Sequence, residues 1–301
     1  MAERLHVVLS EGRAGESSRR SLEEELVVGL AGRPGVALSI VPHLYDLSAE
    51  GPAMEHLRSI AGPIVVLSWL YPRAAFWVLD ANGIEGRLGF SASLSAEEAD
   101  ADEASSRRSS GRTIWGIDLR TQREAGPVLE EIARIQQEVL GEASTAQAAA
   151  HSGNGKVRID ETTQTRWYPV IDYGRCGNCM ECLNFCLFGV FGLDETEQII
   201  VEQGDACRDG CPACARVCPS GAIMFPHHQS PAIAGDPQAI DTGEPGHLTQ
   251  LLNPALPQDT SRKERDRALS ERREEKEPER ENHGPSRQLD DLVDDLDQME
   301  L

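Results

Sequence analysis

CGNCMECLNFC, residues 176–186, and CRDGCPACARVCP, residues 207–219, hold all eight cysteines of this 301-residue chain. The first run spaces them C-x2-C-x2-C-x3-C and the second C-x3-C-x2-C-x3-C-P. After Cys186 the chain continues LFGVF, and after Cys218 it continues PSGAI. Both continuations read C-x-x-G, then a small or branched apolar residue, then a large one, so the two runs are an internal repeat. Two C-x2-C pairs can hold zinc. Zinc does not account for two complete runs of four, or for the C-x3-C-P ending. Nor does the spacing suit disulfides, which a reducing compartment would in any case disfavour.

The spacing has a physical reading. A cubane of iron and sulfide offers four iron corners, and each takes one thiolate. Closely spaced cysteines on a turning backbone reach three adjacent corners. The same loop aims backbone N–H groups at the sulfurs and offsets their negative charge. A fourth cysteine three residues further on lies past the loop and points to a neighbouring cluster, so two such runs can complete each other.

Residues from about 167 to 226 therefore resemble the two-cluster bacterial-type ferredoxins, a resemblance that covers about a fifth of the chain. It implies two 4Fe–4S clusters. Cys176, Cys179, Cys182 and Cys218 would hold one; Cys207, Cys211, Cys214 and Cys186 would hold the other. Two departures stand out. The usual proline after the fourth cysteine is Leu187 in the first run, which predicts a looser turn. The second run has one extra residue between its first two ligands, and Gly210 is placed to ease that wider loop. A short strand over residues 168–173 should lead into Cys176. Residues 190–193 and 198–202 flank the polar turn DETE and predict a β-hairpin.

Residues 1–140 carry a different pattern. Apolar runs at 6–9, 36–41, 64–67 and 114–119 alternate with helical periods. Ser21 and Glu24 read as a capping box ahead of Leu22, Leu26 and Leu30. Pro52 opens a helix bearing Met54, Leu57 and Ile60. Another helix follows Pro72 and stops at Asn82-Gly83. Pro127 opens a last one with Val128, Ile132, Ile135 and Val139 on one face. Strands alternating with helices predict an α/β domain with a mostly parallel, doubly wound sheet, beside a small α+β ferredoxin-like domain at 157–227. Residues 91–112 are rich in Ser, Ala and acids and read as a mobile insertion; residues 141–156 read as a linker. Residues 228–301 read as a disordered acidic tail, in which Leu289, Leu292, Val293, Leu296 and Met299 have the spacing of a short terminal helix.

In an open α/β sheet ligands bind beyond the carboxyl ends of the strands. Those ends present residues 10–15, 68–73 and the segment after Asp118. The loop SEGRAG has two glycines but neither a Walker pattern nor G-x-G-x-x-G, and reads as an ordinary polar loop. His6 and His43 sit beside apolar runs as structural residues, and the pair His227-His228 reads as solvated. No catalytic residue is identifiable.

The formal net charge of −21 argues against nucleic acid or an anionic membrane surface as the main partner. No stretch reaches the ~20 apolar residues of a membrane helix, and the first residues lack a signal-peptide core. The expectation is a cytoplasmic iron–sulfur electron-transfer protein that meets redox partner proteins, its N-terminal domain docking a partner or a small ligand. Two other readings stay open: an oxidoreductase subunit whose N-terminal domain binds substrate or flavin, and a redox-sensing regulator.

Overall fold

The computed structural model of the chain describes residues 4–13, 17–91, 112–148 and 155–241. Strands β1 (Leu5–Ser10), β2 (Val36–Val41), β3 (Ile64–Ser68), β4 (Arg87–Leu88), β5 (Thr113–Asp118) and β6 (Lys156–Arg158) form one sheet in the order β4-β5-β3-β1-β2-β6. Every pairing in it is parallel. Helices α1 (Ser17–Leu30), α2 (Pro52–Ser59), α3 (Pro72–Ala81) and α4 (Ala125–Ala148) cover its two faces.

The period-2 geometry of the strands sorts their side chains between those faces. Val65 and Leu67 of β3 join Leu5, Val7 and Leu9 of β1 and Trp115 and Ile117 of β5 under α1 and α4. Ile64 and Val66 face the other way and pack with Val8, Ile114 and the residues of α2 and α3. Both faces are thus apolar, which is why the strands read as continuous runs rather than alternating ones. Gly116 in β5 permits the closest approach of a helix. A Cβ there would lie 2.8 Å from the Pro72 side chain at the start of α3.

Helix α1 begins at Ser17, not at Ser21. Leu22, Leu26 and Leu30 are buried as their period requires, while Ser21 and Glu24 are exposed. A Ser-x-x-Glu pattern fits the solvent face of a helix as well as its end, and the apolar face decided the boundary. Helix α3 ends as its sequence indicates, with Asn82 as cap and Gly83 at a φ of +78°.

The expected linker contributes structure of its own. Helix α4 runs to Ala148, with a break at Gly141, and β6 adds a sixth strand by pairing with β2. Residues 92–111 of the expected insertion lie outside the described residues; Ser91 at its start is buried and donates to the Gly116 carbonyl at 2.7 Å. Of the tail expected from 228, residues 228–241 are among the described residues and are ordered. Helices α7 (Pro231–Ala234) and α8 (Pro237–Asp241) bury Ile233 and Ile240, so apolar residues spaced through a Pro- and Gly-rich stretch suffice for two short turns. The segment holding the expected terminal helix lies outside the described residues.

Between β6 and α7 the cysteine-rich segment folds as two short antiparallel pairs and two helical turns. Strand β7 (Val170–Ile171) pairs with β10 (Ile223–Met224). Strands β8 (Phe191–Leu193) and β9 (Ile199–Val201) make the hairpin around the acidic turn. Helices α5 (Glu181–Phe185) and α6 (Ala213–Val217) each span five residues.

This segment is seated on the α2/α3 face of the sheet domain. Tyr168, Val170 and Met224 enter the apolar cluster formed by those helices. The Tyr45 and Tyr168 rings stack at 4.4 Å, and the Tyr45 hydroxyl both donates to the Tyr168 carbonyl and accepts from its N–H. Arg73 of α3 reaches across. Its Nε lies 2.5 Å from the Asp172 carboxylate and its Nη2 donates to the Gly221 carbonyl at 2.9 Å. Both members of the ion pair are buried, Arg73 at 5% and Asp172 at 3% exposure. Removing one partner of such a pair strands the other charge, at a cost of about 3–5 kcal/mol. Arg73→Met should therefore lower the unfolding free energy of the cluster-loaded protein by that amount. Adding Asp172→Asn should recover part of the loss, because the stranded charge is gone. Denaturant titrations of the two variants check this; equal losses in both would refute it.

Candidate metal centre

The repeat in sequence is a repeat of backbone. Cys182 lies in α5 and Cys214 in α6, and the fourth cysteine of each run caps its helix in nearly the same conformation: φ −74°, ψ 114° at Cys186 and φ −69°, ψ 113° at Cys218. Three residues on, Gly189 and Gly221 have φ of +66° and +61°. A left-handed turn there sends the chain back after each fourth cysteine, and glycine takes it without Cβ strain. Gly210 has a φ of +72°, as the wider loop before Cys211 requires. Leu187, in place of the usual proline, is 92% exposed.

The first loop turns through two left-handed residues that are not glycine, Asn178 at φ 55° and Met180 at φ 63°. Asn tolerates this region because its short amide can bond locally. Here the amide does more: Nδ2 donates to the Glu197 carbonyl and Oδ1 accepts from the Ile199 N–H, both at 2.9 Å. Asn178 thereby ties the loop to the hairpin. Its place inside a cysteine run was the only sequence signal for that role. On the upstream side Asp172 fixes the entry. Its carboxylate accepts from Gly174 and Arg175 N–H groups, and its carbonyl accepts from the Cys176 N–H at 2.9 Å.

The fold mixes the thiols of the two runs. Cys218 joins Cys176, Cys179 and Cys182 around one recess, which Ile171, Ile199 and Ile223 also line. Its Sγ accepts from the Ala222 N–H at 3.3 Å. Cys186 lies with the second run, close enough for its charge to act on both Cys207 and Cys214. Cys218 therefore sits with the first three cysteines of the first run, and Cys186 near the first and third of the second. Cys182, whose charge reaches Cys214, lies where the two groups meet.

Burial is the main influence on these thiols, and neighbouring thiolates add to it. The Cys176 and Cys207 thiols are pushed up to about 11 and the Cys182 thiol to about 12. Cys214 and Cys179 are raised in the same way. Backbone N–H groups of Asn178, Glu181, Leu183 and Ala215 oppose the shift at Cys176, Cys179, Cys182 and Cys214. Ionising Cys182 thus costs roughly 4 kcal/mol more than ionising a free thiol. A bound Lewis acid offsets such a cost, because metal coordination displaces the thiol proton.

The donor chemistry fits such a group. Eight cysteines stand as free thiols, with an N–H donor on Cys218 among them. The sulfurs are part of the segment's core: Cys182, Cys214 and Cys218 pack with Ile171, Val190, Phe191, Ile199, Ile223 and Phe225. The carboxyl ends of the sheet strands, by contrast, are filled from within. Glu23 accepts from the Gly12 N–H at 2.6 Å and from the Trp69 indole at 2.7 Å. Arg120 folds back on Asp118 and stacks over Tyr71.

No protein-family model matches the chain. Among curated proteins, an uncharacterized ferredoxin of Methanocaldococcus jannaschii is 41% identical over 78 residues, covering 26% of this chain and 50% of that protein. The chain thus spans half the length of that relative. A second uncharacterized ferredoxin of the same organism is 40% identical over 55 residues, 18% of this chain and 86% of the relative. A ferredoxin of Methanothermococcus thermolithotrophicus is 38% identical over 55 residues, 18% of this chain and 88% of the relative. Those two relatives are matched over most of their length, and the likeness agrees with the spacing of the cysteines; through this segment the chain belongs to the ferredoxins.

Proposed function

We propose that the protein transfers single electrons by way of two 4Fe–4S clusters, one held by Cys176, Cys179, Cys182 and Cys218 and the other by Cys207, Cys211, Cys214 and Cys186. The observation that most supports this reading is that Cys218 lines the recess of Cys176, Cys179 and Cys182, while Cys186 lies near Cys207 and Cys214. When bound, each such cluster takes up and gives back one electron at nearly constant geometry. The residues around it hold the thiolates, supply N–H groups to the sulfurs and keep water away with Ile171, Ile199 and Ile223. The N-terminal domain serves to present this module to a partner or to bind a small ligand. A net charge of −21 suits partners with basic docking faces, since such a field speeds encounter. Free thiols in this number suit a reducing compartment such as the cytoplasm.

Anaerobically prepared protein should contain about eight iron and eight sulfide per chain. Stoichiometric zinc without sulfide would overturn the proposal. The exchange of ligands has its own signature. Cys218→Ala should resemble Cys176→Ala in low-temperature EPR, with a three-iron species or loss of that cluster, and Cys186→Ala should resemble Cys207→Ala. If each fourth cysteine instead tracks its own run, the ligand assignment is wrong. Because the sulfurs form part of the core, removing iron with a chelator should expose residues 167–226 to limited proteolysis while residues 1–90 stay resistant. Equal resistance before and after chelation would show that the segment folds without metal.

A further inference from the structure

Outside the cysteines, one other set of metal-ligating side chains converges among the described residues: His43, Asp46 and His227. His43 follows β2, and Asp46 closes the single 3-10 turn Leu44–Asp46 that comes next. His227 comes from the far side of the chain, just after the ferredoxin segment. One ligand atom from each lies within 4.8 Å of the others. His43 Nδ1 is 3.7 Å from Asp46 Oδ2, and His227 Nε2 is 4.0 Å from Asp46 Oδ1. Ligand atoms around a zinc-sized ion, each ~2.0–2.2 Å from it, stand ~3.3–3.6 Å apart. The three groups are therefore slightly open of a closed site and too far apart for hydrogen bonds.

Two further observations point to a ligand. His43 is only 5% exposed and Asp46 4%, yet His43 Nδ1 and His227 Nε2 are buried with no hydrogen-bond partner among the described residues. A buried imidazole nitrogen left unpaired is costly, and native proteins rarely leave one so. Here two such nitrogens converge on one carboxylate. That carboxylate is also oriented as metal-binding carboxylates are, by hydrogen bonds from behind. Oδ1 accepts from Arg13 Nη2 at 2.5 Å and from the Arg166 N–H at 3.0 Å, which uses both of its lone pairs. Oδ2 accepts from Arg13 Nε at 2.6 Å and keeps one lone pair, on the atom nearest His43 Nδ1. Burial, first among the causes, holds His43 down to about 4 and lowers His227 as well, so both rings are neutral and free to coordinate. The Arg13 and Arg19 guanidiniums oppose a cation here; Arg13 is 31% exposed, so water screens part of its charge while it holds Asp46.

We propose that His43, Asp46 and His227 bind one divalent first-row transition ion of the Zn2+ or Fe2+ class, with water in the remaining position. Two nitrogens and one oxygen suit that class rather than Mg2+ or Ca2+, which take oxygen ligands. The ion would join the turn after β2 to the end of the ferredoxin segment, independently of the cysteines.

The test uses the full chain with its clusters in place, so that the thiols are already occupied. Anaerobic equilibrium dialysis against Zn2+ should load one zinc per chain without change in iron or sulfide content. X-ray absorption at the zinc edge should show only nitrogen and oxygen neighbours near ~2.0–2.1 Å. His43→Gln and His227→Gln should each abolish that uptake while cluster absorbance is retained. No uptake by the native protein, sulfur neighbours at ~2.3 Å, or undiminished uptake by both cluster-loaded variants would overturn the proposal. If a variant fails to retain its clusters, the absorption spectrum of the native protein decides alone.

Discussion

The buried Arg73–Asp172 pair is the joint on which the two parts of this protein turn. Neither charge could be buried alone, since an unpaired carboxylate or guanidinium in an apolar interface is prohibitively costly. Together they are tolerable because each has further partners. The guanidinium also reaches the Gly221 carbonyl beyond Cys218, and the carboxylate also takes the N–H groups that open the loop to Cys176. One residue of α3 therefore sets the position of the backbone on both sides of the same thiol group. The Tyr45–Tyr168 stack and the apolar contacts of Val170 and Met224 supply attraction over a wider area, but they carry little direction. The ion pair fixes the register.

Within the ferredoxin segment the governing constraint is the cost of holding thiolates together. Sulfurs brought into one apolar recess repel each other when ionised and lose hydration, and at Cys176, Cys179 and Cys182 both effects hold the proton on. Backbone N–H groups relieve part of this, and the left-handed residues Asn178, Met180, Gly189, Gly210 and Gly221 are what turn the chain tightly enough to supply them. A segment whose core includes Cys182, Cys214 and Cys218 packs around the same atoms that would hold the cofactor. The proposed function makes folding and metal binding one event here, whereas the sheet domain has two large aliphatic layers of its own.

Phe185, Leu187 and Phe188 beside Cys186 are exposed apolar side chains on the outer face of this segment.

Much of this was legible in the sequence, for reasons of period and spacing. The strands over 36–41 and 64–67 are buried on both faces and so read as unbroken apolar runs; Pro52, Pro72 and Asn82-Gly83 mark helix ends by local stereochemistry alone. The two cysteine runs were legible because their spacing is that of the ferredoxins, to which the chain is similar through this segment. Other features were closed to sequence because they depend on what meets across the fold. Ser21 could be read as a cap because the pattern does not tell a helix start from a helix face. The ordered turns at 231–241 took shape from burial of Ile233 and Ile240, which no local rule announces. His227 looked like one of a solvated pair and is instead folded against His43 and Asp46, about 180 residues earlier in the chain. Arg73 and Asp172 sit 99 positions apart, each an ordinary charge on its own. Spacing along the chain determines which residues could share a metal or a helix face; only the tertiary structure decides which distant charges meet, because that depends on which apolar surfaces pack first.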